Sequence, residues 1–151
     1  MTLKDRMQHD LTDAMKARDE LRLASLRMAL TAVTNEEVSG KQARVLSDDE
    51  VVAVVGREIK KRREAAHAFA DAGRTDRADR ELAEAEVLQS YLPAQLTDDE
   101  LVELVRAAVQ ESGAAELRQM GQVMKLLQPR VAGRAEGSRV AGEVKRQLSA
   151  G

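Results

Sequence analysis

The sequence predicts an all-α protein with an N-terminal helical domain and a small C-terminal domain of three helices. The first observation is compositional: 43% of the residues are hydrophobic, yet the chain has one Phe, one Tyr and no Trp. Aliphatic cores of this kind are common in helical bundles and poor for sheets, which favour β-branched and aromatic residues. The second observation is that apolar residues recur every three or four positions. The third is that cap residues, glycines and prolines separate these stripes.

Two apolar stripes predict the first helices. Leu3, Met7, Leu11 and Met15 stand four residues apart, and a second stripe runs from Leu23 to Val33. Each spacing places its side chains on one helical face. The segment SGKQARVLS that follows is polar and contains glycine, so we predict a loop there.

Two similar segments predict later helix starts, LSDDEVVAVV from Leu46 and LTDDELVELV from Leu96. In each, the hydroxyl of Ser47 or Thr97 can accept a hydrogen bond from the third helical amide, while a glutamate reaches back to the cap. The aspartates favour the positive helix end. The likeness fades after the first turn, so it marks two helix starts and does not establish a duplication.

Glycine and proline predict the helix ends in the middle of the chain. We expect a helix over about 48–72 that ends at Gly73, because glycine tolerates the left-handed conformation of that position. A further helix, capped by Thr75 or Asp76, should reach Leu92, because the proline that follows has no amide to continue it.

The segment SYLPAQLT predicts a junction between an N-terminal domain over 1–92 and a C-terminal domain over 98–151, with 93–97 between them. The C-terminal helices are predicted over 98–112, stopped by Gly113, over 115–128, stopped by Pro129, and over about 138–148.

Composition and charge exclude several classes of function. The chain has no cysteine, which excludes disulfides, thiolate metal sites and a cysteine nucleophile. It shows no apolar run of the roughly 20 residues that span a bilayer, and its first residues are charged throughout, so we expect a soluble, cytoplasmic protein. The net charge is −2, but residues 97–113 carry five acidic groups against one basic, and residues 114–151 carry seven basic groups against three acidic. This asymmetry can direct a polyanion to one patch.

The segment MGQVMKLLQPRVAGRAEG, from Met120 to Gly137, is the first candidate for a functional site. It lacks the glycine spacing, lysine and preceding strand of a phosphate-binding P-loop. We predict a helix, a proline stop, a glycine turn and another helix, with four buried side chains: Met120, Val123, Met124 and Leu127. We also predict that exposed cations near the turn contact RNA phosphates; these are Arg130, Arg134 and Arg139, with Lys125 before them.

The segment REIKKRR is the second candidate. At 100° per residue, Arg57, Lys60 and Lys61 group on one side of the predicted helix, opposite Ile59 and other apolar residues. This basic face is either a solvated surface paired with neighbouring carboxylates or a phosphate-binding surface. Arg62 falls near the apolar sector, so it must snorkel, pair with a carboxylate or lie at an interface.

We predict no catalytic residues, no metal site and no cofactor. His9 and His67 are distant in sequence, and neither forms a metal-ligand motif, so both are expected at the surface. Tyr91 is expected to be a packed junction residue with its hydroxyl bonded, and Phe69 to lie in the core. With so few aromatic rings, stacking on single-stranded nucleic acid is disfavoured, and folded RNA read through its backbone is the better model.

Four segments together resemble the GatB/YqeY family over nearly the whole chain: LRMALTAVTNEEV, REIKKRREAAHAF followed by AGRTD, EAEVLQSYLPAQL, and MGQVMKLLQPRVAGRAEG. The resemblance implies a helical N-terminal domain joined to a small helical domain similar to the tail of the GatB subunit of the tRNA-dependent amidotransferase. In that enzyme the tail is associated with tRNA recognition, and amide transfer belongs to other domains.

The resemblance also carries a family label, carbon–nitrogen ligase with glutamine as amido donor. We expect instead a noncatalytic adaptor that binds tRNA or a tRNA-handling enzyme complex, without membrane or metal. The alternative is a protein–protein interaction module that does not bind RNA.

Overall fold

A computed structural model describes residues 1–150, and every regular element in that range is helical, which confirms the all-α fold. The helices are α1 (Leu3–Lys16), α2 (Glu20–Glu37), α3 (Asp48–Asp71), α4 (Thr75–Gln89), α5 (Asp98–Ser112), α6 (Met120–Val131) and α7 (Gly137–Ala150). A short 3₁₀ turn, Leu117–Gln119, precedes α6. None of the helices within residues 1–150 is long and apolar enough to cross a membrane.

The chain forms two compact units, Met1–Leu92 and a second that begins at Pro93. In the first unit, α1 to α4 enclose an aliphatic core to which Tyr91 contributes the one buried ring. The predicted capping box at Ser47 is present, with reciprocal hydrogen bonds between Ser47 and Glu50. Gly73 adopts a φ of 76°, as its predicted place after the end of α3 requires.

In the second unit, α5, α6 and α7 pack around a separate core. Its fully buried side chains include Val105, Val123, Leu127 and Val144. The Thr97 capping box is present, and Gly113 ends α5 with a φ of 70°. The predicted bounds of α5 are therefore confirmed at both ends.

The predicted bounds of α4 were wrong at both ends. The residue that caps α4 is Arg74, whose side chain makes no capping hydrogen bond, and Thr75 is already helical. The turn from α3 is closed by backbone hydrogen bonds instead; the Arg74 amide donates to the Phe69 carbonyl at 2.8 Å. At the other end α4 stops at Gln89, and Leu92 donates to the Gln89 carbonyl at 3.1 Å. The residue before a proline avoids the α conformation, so the helix does not extend to Leu92.

The predicted bounds of α6 were also wrong at both ends: the helix begins at Met120, after the 3₁₀ turn, and Pro129 lies inside it and does not stop it. Proline has no amide to donate to the carbonyl four residues earlier, and its ring crowds that carbonyl, at a cost of about 3 kcal/mol or more inside a helix. Continuing the helix buries Val131, which is 7% exposed, in the core. Burial of a valine side chain contributes about 1.5–3 kcal/mol, which offsets much of that cost.

Candidate functional site

The turn between α6 and α7, with the flanking arginines from Arg130 to Arg139, forms a surface that we call the arginine turn. Its backbone is fastened to the segment before α5. The Leu96 amide donates to the Arg134 carbonyl at 2.8 Å, and the Gln95 side-chain amide donates to the Gly133 carbonyl at 2.8 Å. Gly133 has a φ of 73°, a conformation that side-chain-bearing residues rarely adopt. The turn is therefore a defined structure rather than a loose connection.

The three arginines of this turn are partly exposed and already have partners, whereas the sequence led us to expect freely exposed cations. Arg130 donates to Glu111, and Arg139 donates to Asp98 at 2.7 Å. Their side chains are 36% and 35% exposed. Arg134 contacts the Ala94 carbonyl at 3.5 Å. The departure arises because acidic residues of α5, distant in sequence, lie across from the turn.

The pairing alters the titration of these groups. The hydrogen bond from Arg130 lowers the pKa of Glu111, and the same bond raises the pKa of the Arg130 guanidinium. Both groups are accessible to solvent, and such pairs contribute little to stability because water screens them. An anionic ligand could therefore replace the carboxylate at small cost.

Lys125 is the remaining predicted residue of this region, and it is exposed on α6. Lys125 and Arg130 are five residues apart on one helix, so their side chains leave it in directions about 140° apart. The structure does not bring them into one cluster.

The second predicted set lies on α3, where Arg57, Lys60 and Lys61 are all exposed. Arg57 lies 3.8 Å from Glu36, and Lys61 lies 3.4 Å from Glu58. Arg57 and Lys61 line a groove between α2 and α3, whereas Lys60 does not.

Arg62 is buried and pairs with carboxylates, one of the three outcomes that its place near the apolar sector allowed. Its Nη2 lies 3.3 Å from Glu58 and also donates to the Met28 sulfur at 3.3 Å. Its Nε lies 3.3 Å from Glu84 on α4. Sequence reasoning missed Glu84 because only the packing of α4 on α3 brings it there.

Tyr91 is packed and its hydroxyl is bonded, as predicted. The residue is 6% exposed, and the hydroxyl donates to Asp10 Oδ2 at 2.5 Å. The Arg6 guanidinium lies 4.9 Å from the ring centre. Burial, with the bond to Asp10 second, raises the pKa of Tyr91 to about 12.

Two smaller expectations about side-chain burial were wrong. Phe69 is only partly buried, because it lies near the end of α3 with the Arg77 guanidinium 5.7 Å from its ring. Met120 and Met124 are also partly buried, since they flank the core at the edge of α6, while Val123 and Leu127 are fully buried as predicted.

Both histidines are at the surface, as predicted, with side chains 65% exposed for His9 and 81% for His67. His9 lies 3.3 Å from Asp13 and 4.0 Å from Asp10, close enough together for one metal ion. Neighbours on an exposed helical turn produce such clusters routinely, and Asp10 also accepts the bond from Tyr91. We assign no metal site to them.

Comparison with known proteins identifies the family. A family model described as "Yqey-like protein" matches residues 4–148. A curated relative, "Altered inheritance of mitochondria protein 41, mitochondrial" from Pyrenophora tritici-repentis (strain Pt-1C-BFP), is 28% identical over 138 residues, which cover 88% of this chain and 73% of the relative. With nearly its whole length matched, the chain belongs to the YqeY-like family.

Proposed function

We propose that this chain is a noncatalytic cytoplasmic adaptor that binds tRNA, or an enzyme that handles tRNA, in glutamine-dependent tRNA amidation. The observation that carries the proposal is the arginine turn, which displays three guanidinium groups around one hydrogen-bonded turn. Guanidinium groups match phosphate geometry in paired hydrogen bonds, which suits recognition of an RNA backbone. The resemblance of the sequence to the GatB/YqeY family, in which the GatB tail is associated with tRNA recognition, also supports it.

The existing pairs do not oppose this proposal strongly. Asp98 is 94% exposed and Glu111 is 54% exposed, so each carboxylate can return to water when phosphate takes its place. Exposed pairs contribute about 0–1 kcal/mol each. Binding two phosphates at Arg130 and Arg139 therefore requires the release of only weak ion pairs.

The same pairs favour a second candidate function, a protein–protein interaction module without RNA binding. Two of the three arginines are neutralised by α5, so the surface presents alternating charges rather than a uniformly basic patch. Mixed charges of this kind suit a protein partner with complementary charges.

A salt titration of tRNA binding distinguishes the two functions. Replacement of Arg130, Arg134 and Arg139 by glutamine should preserve helicity, weaken binding and flatten the dependence on salt by about one unit of slope for each phosphate that the variant leaves unpaired. The matched control replaces three exposed cations of the same unit outside the turn, Arg118, Lys145 and Arg146. Equal affinities and slopes for wild type and the turn variant would favour the protein interaction module.

The proposal assigns amide transfer to the partner enzyme. The chain has no cysteine to act as the nucleophile of a glutaminase. Purified protein should therefore release no ammonia from glutamine in a coupled assay. Ammonia release that increases in proportion to the amount of protein and persists through further purification would contradict the noncatalytic assignment.

A further inference from the structure

A groove runs between α2 and α3 in the first unit, and we call it the α2–α3 groove. It consists of two adjoining cavities of about 380 and about 320 Å³ that share Ala32, Asn35, Glu58 and Lys61. Its lining on α2 extends from Arg27 to Glu36, and Ser39 adds to it beyond the end of that helix. At a rise of 1.5 Å per residue the helical part is about 14 Å long, roughly two and a half turns.

The part of the groove beside Met28 has an apolar floor that is held in place. Met28 is 42% exposed and offers its side chain to an occupant of the groove. Its sulfur accepts a hydrogen bond from Arg62, which is itself fixed between Glu58 and Glu84. Methionine side chains adapt to varied apolar partners, and here the buried guanidinium fixes where the sulfur lies. The floor is thus prepared to pack against an aliphatic side chain.

The groove carries an excess of positive charge, although the unit that contains it does not. Residues 1–92 hold 16 basic and 18 acidic residues, a net charge of −2. The groove reverses that sign by one charge, because three exposed basic residues, Arg27, Arg57 and Lys61, face the two carboxylates Glu36 and Glu58, while the buried Arg62 is paired with Glu84. Arg27 at one end is exposed and has no carboxylate partner within residues 1–150. An occupant with carboxylates along one edge therefore complements the groove.

We propose that the α2–α3 groove binds an acidic amphipathic helix of a partner protein. Aliphatic side chains of that helix would cover Met28 and Ala32, and its carboxylates would pair with Arg27, Arg57 and Lys61. A helix laid between two helices satisfies its own backbone hydrogen bonds, so only side chains need to match.

The lining favours a peptide over RNA. Glu36 and Glu58 would face phosphates directly, whereas a peptide offers amides and basic side chains to these two carboxylates. The groove lacks an aromatic side chain for base stacking. This inference goes beyond the proposed function, because it concerns α2 and α3 and does not involve the arginine turn.

The test uses the full chain labelled with ¹⁵N and a helical peptide of about 12 residues that carries leucines on one face and glutamates beside them. A scrambled peptide of the same composition and an oligouridylate RNA serve as competing probes. The helical peptide should shift the amide resonances of residues 27–39 and 54–62. Arg27→Glu should weaken peptide binding about tenfold, since it replaces attraction by repulsion at an exposed position.

Lys60→Glu is the matched control, with the same change of charge on α3 outside the groove, and it should leave peptide affinity nearly unchanged. The proposal is overturned if the shifts lie elsewhere or are absent, if both variants lose affinity equally, or if the scrambled peptide binds as well. Displacement of the peptide by the RNA from the same residues would also overturn it. Because the Arg27 variant retains the whole arginine turn, its tRNA binding reports on the proposed function separately.

Discussion

Titration of Tyr91 provides a direct test of the packing in the first unit. The chain has one tyrosine and no tryptophan, so the near-ultraviolet absorbance of tyrosinate reports on this residue alone. Burial and the hydrogen bond to Asp10 raise its pKa from 10.0 to about 12. At 1.36 kcal/mol per pKa unit, the folded protein favours the neutral phenol by about 3 kcal/mol more than the unfolded chain does.

The sign of the stability effect follows from the raised pKa. The folded chain retains a proton that the unfolded chain releases, so the stability is present below pH 10.0 and is lost as pH rises toward about 12. Asp10→Asn should lower the folded midpoint but leave it above 10.0, because burial is the larger cause. Asp13→Asn is the control, since that exposed carboxylate lies on the same helix and pairs with His9.

The measurement is the absorbance midpoint in buffer and in concentrated urea, with circular dichroism recorded on the same samples. We expect a midpoint near 12 in buffer and near 10.0 in urea. A midpoint near 10.0 in buffer, with the helical signal intact, would refute the burial and bonding of Tyr91.

Four further predictions concern stability. Arg62→Ala should lower the free energy of unfolding by about 3 kcal/mol, because the buried carboxylates beside Arg62 lose their charged partner. Other basic neighbours remain beside these carboxylates and limit the loss; an unchanged urea midpoint would contradict this. Gly56→Ala should raise it by about 1 kcal/mol, since an added Cβ meets nothing within 4 Å on α3; a lower urea midpoint would contradict that reason. The hydrogen bonds from Lys4 and the Leu46 amide hold the pKa of Glu37 below its usual 4.5. The loss of unfolding free energy caused by Glu37→Gln should therefore be full above pH 4.5 and shrink as pH falls below it; a loss independent of pH would count against this reasoning. The fragment 1–92 should melt cooperatively by circular dichroism, and a gradual decline of the signal would show that it is not an independent domain.

The sequence predicted the helix boundaries that depend on local signals. Ser47 and Thr97 cap their helices through bonds to residues only three positions away, and Gly73 and Gly113 adopt the positive φ expected of glycine after a helix. Such signals lie within a few residues, so they can be read without knowledge of the packing.

Predictions failed where distant residues decide the outcome. Pro129 lies within α6, and the continued helix buries Val131 in the core, a contribution that the local sequence does not show. In the candidate site, the charges of Arg130 and Arg139 were read correctly, but their partners on α5 lie 19 and 41 residues away. The α2–α3 groove could not be anticipated, since a groove depends on how two helices pack, and periodicity gives only the face of each.

The bonds from Gln95 and Leu96 to the arginine turn have a consequence for dissecting the protein. Leu96 is 4% exposed in the second core, so the residues just before α5 act as a clasp. They join the two ends of a segment of nearly forty residues that contains α5 and α6. A truncated second unit that starts at Asp98 would lack this clasp, and its arginines would be presented on a turn without the hydrogen bonds from Leu96 and Gln95. Failure of such a fragment to bind RNA would then reflect its boundary, whereas a fragment that starts at Pro93 keeps the clasp and reports on the surface itself.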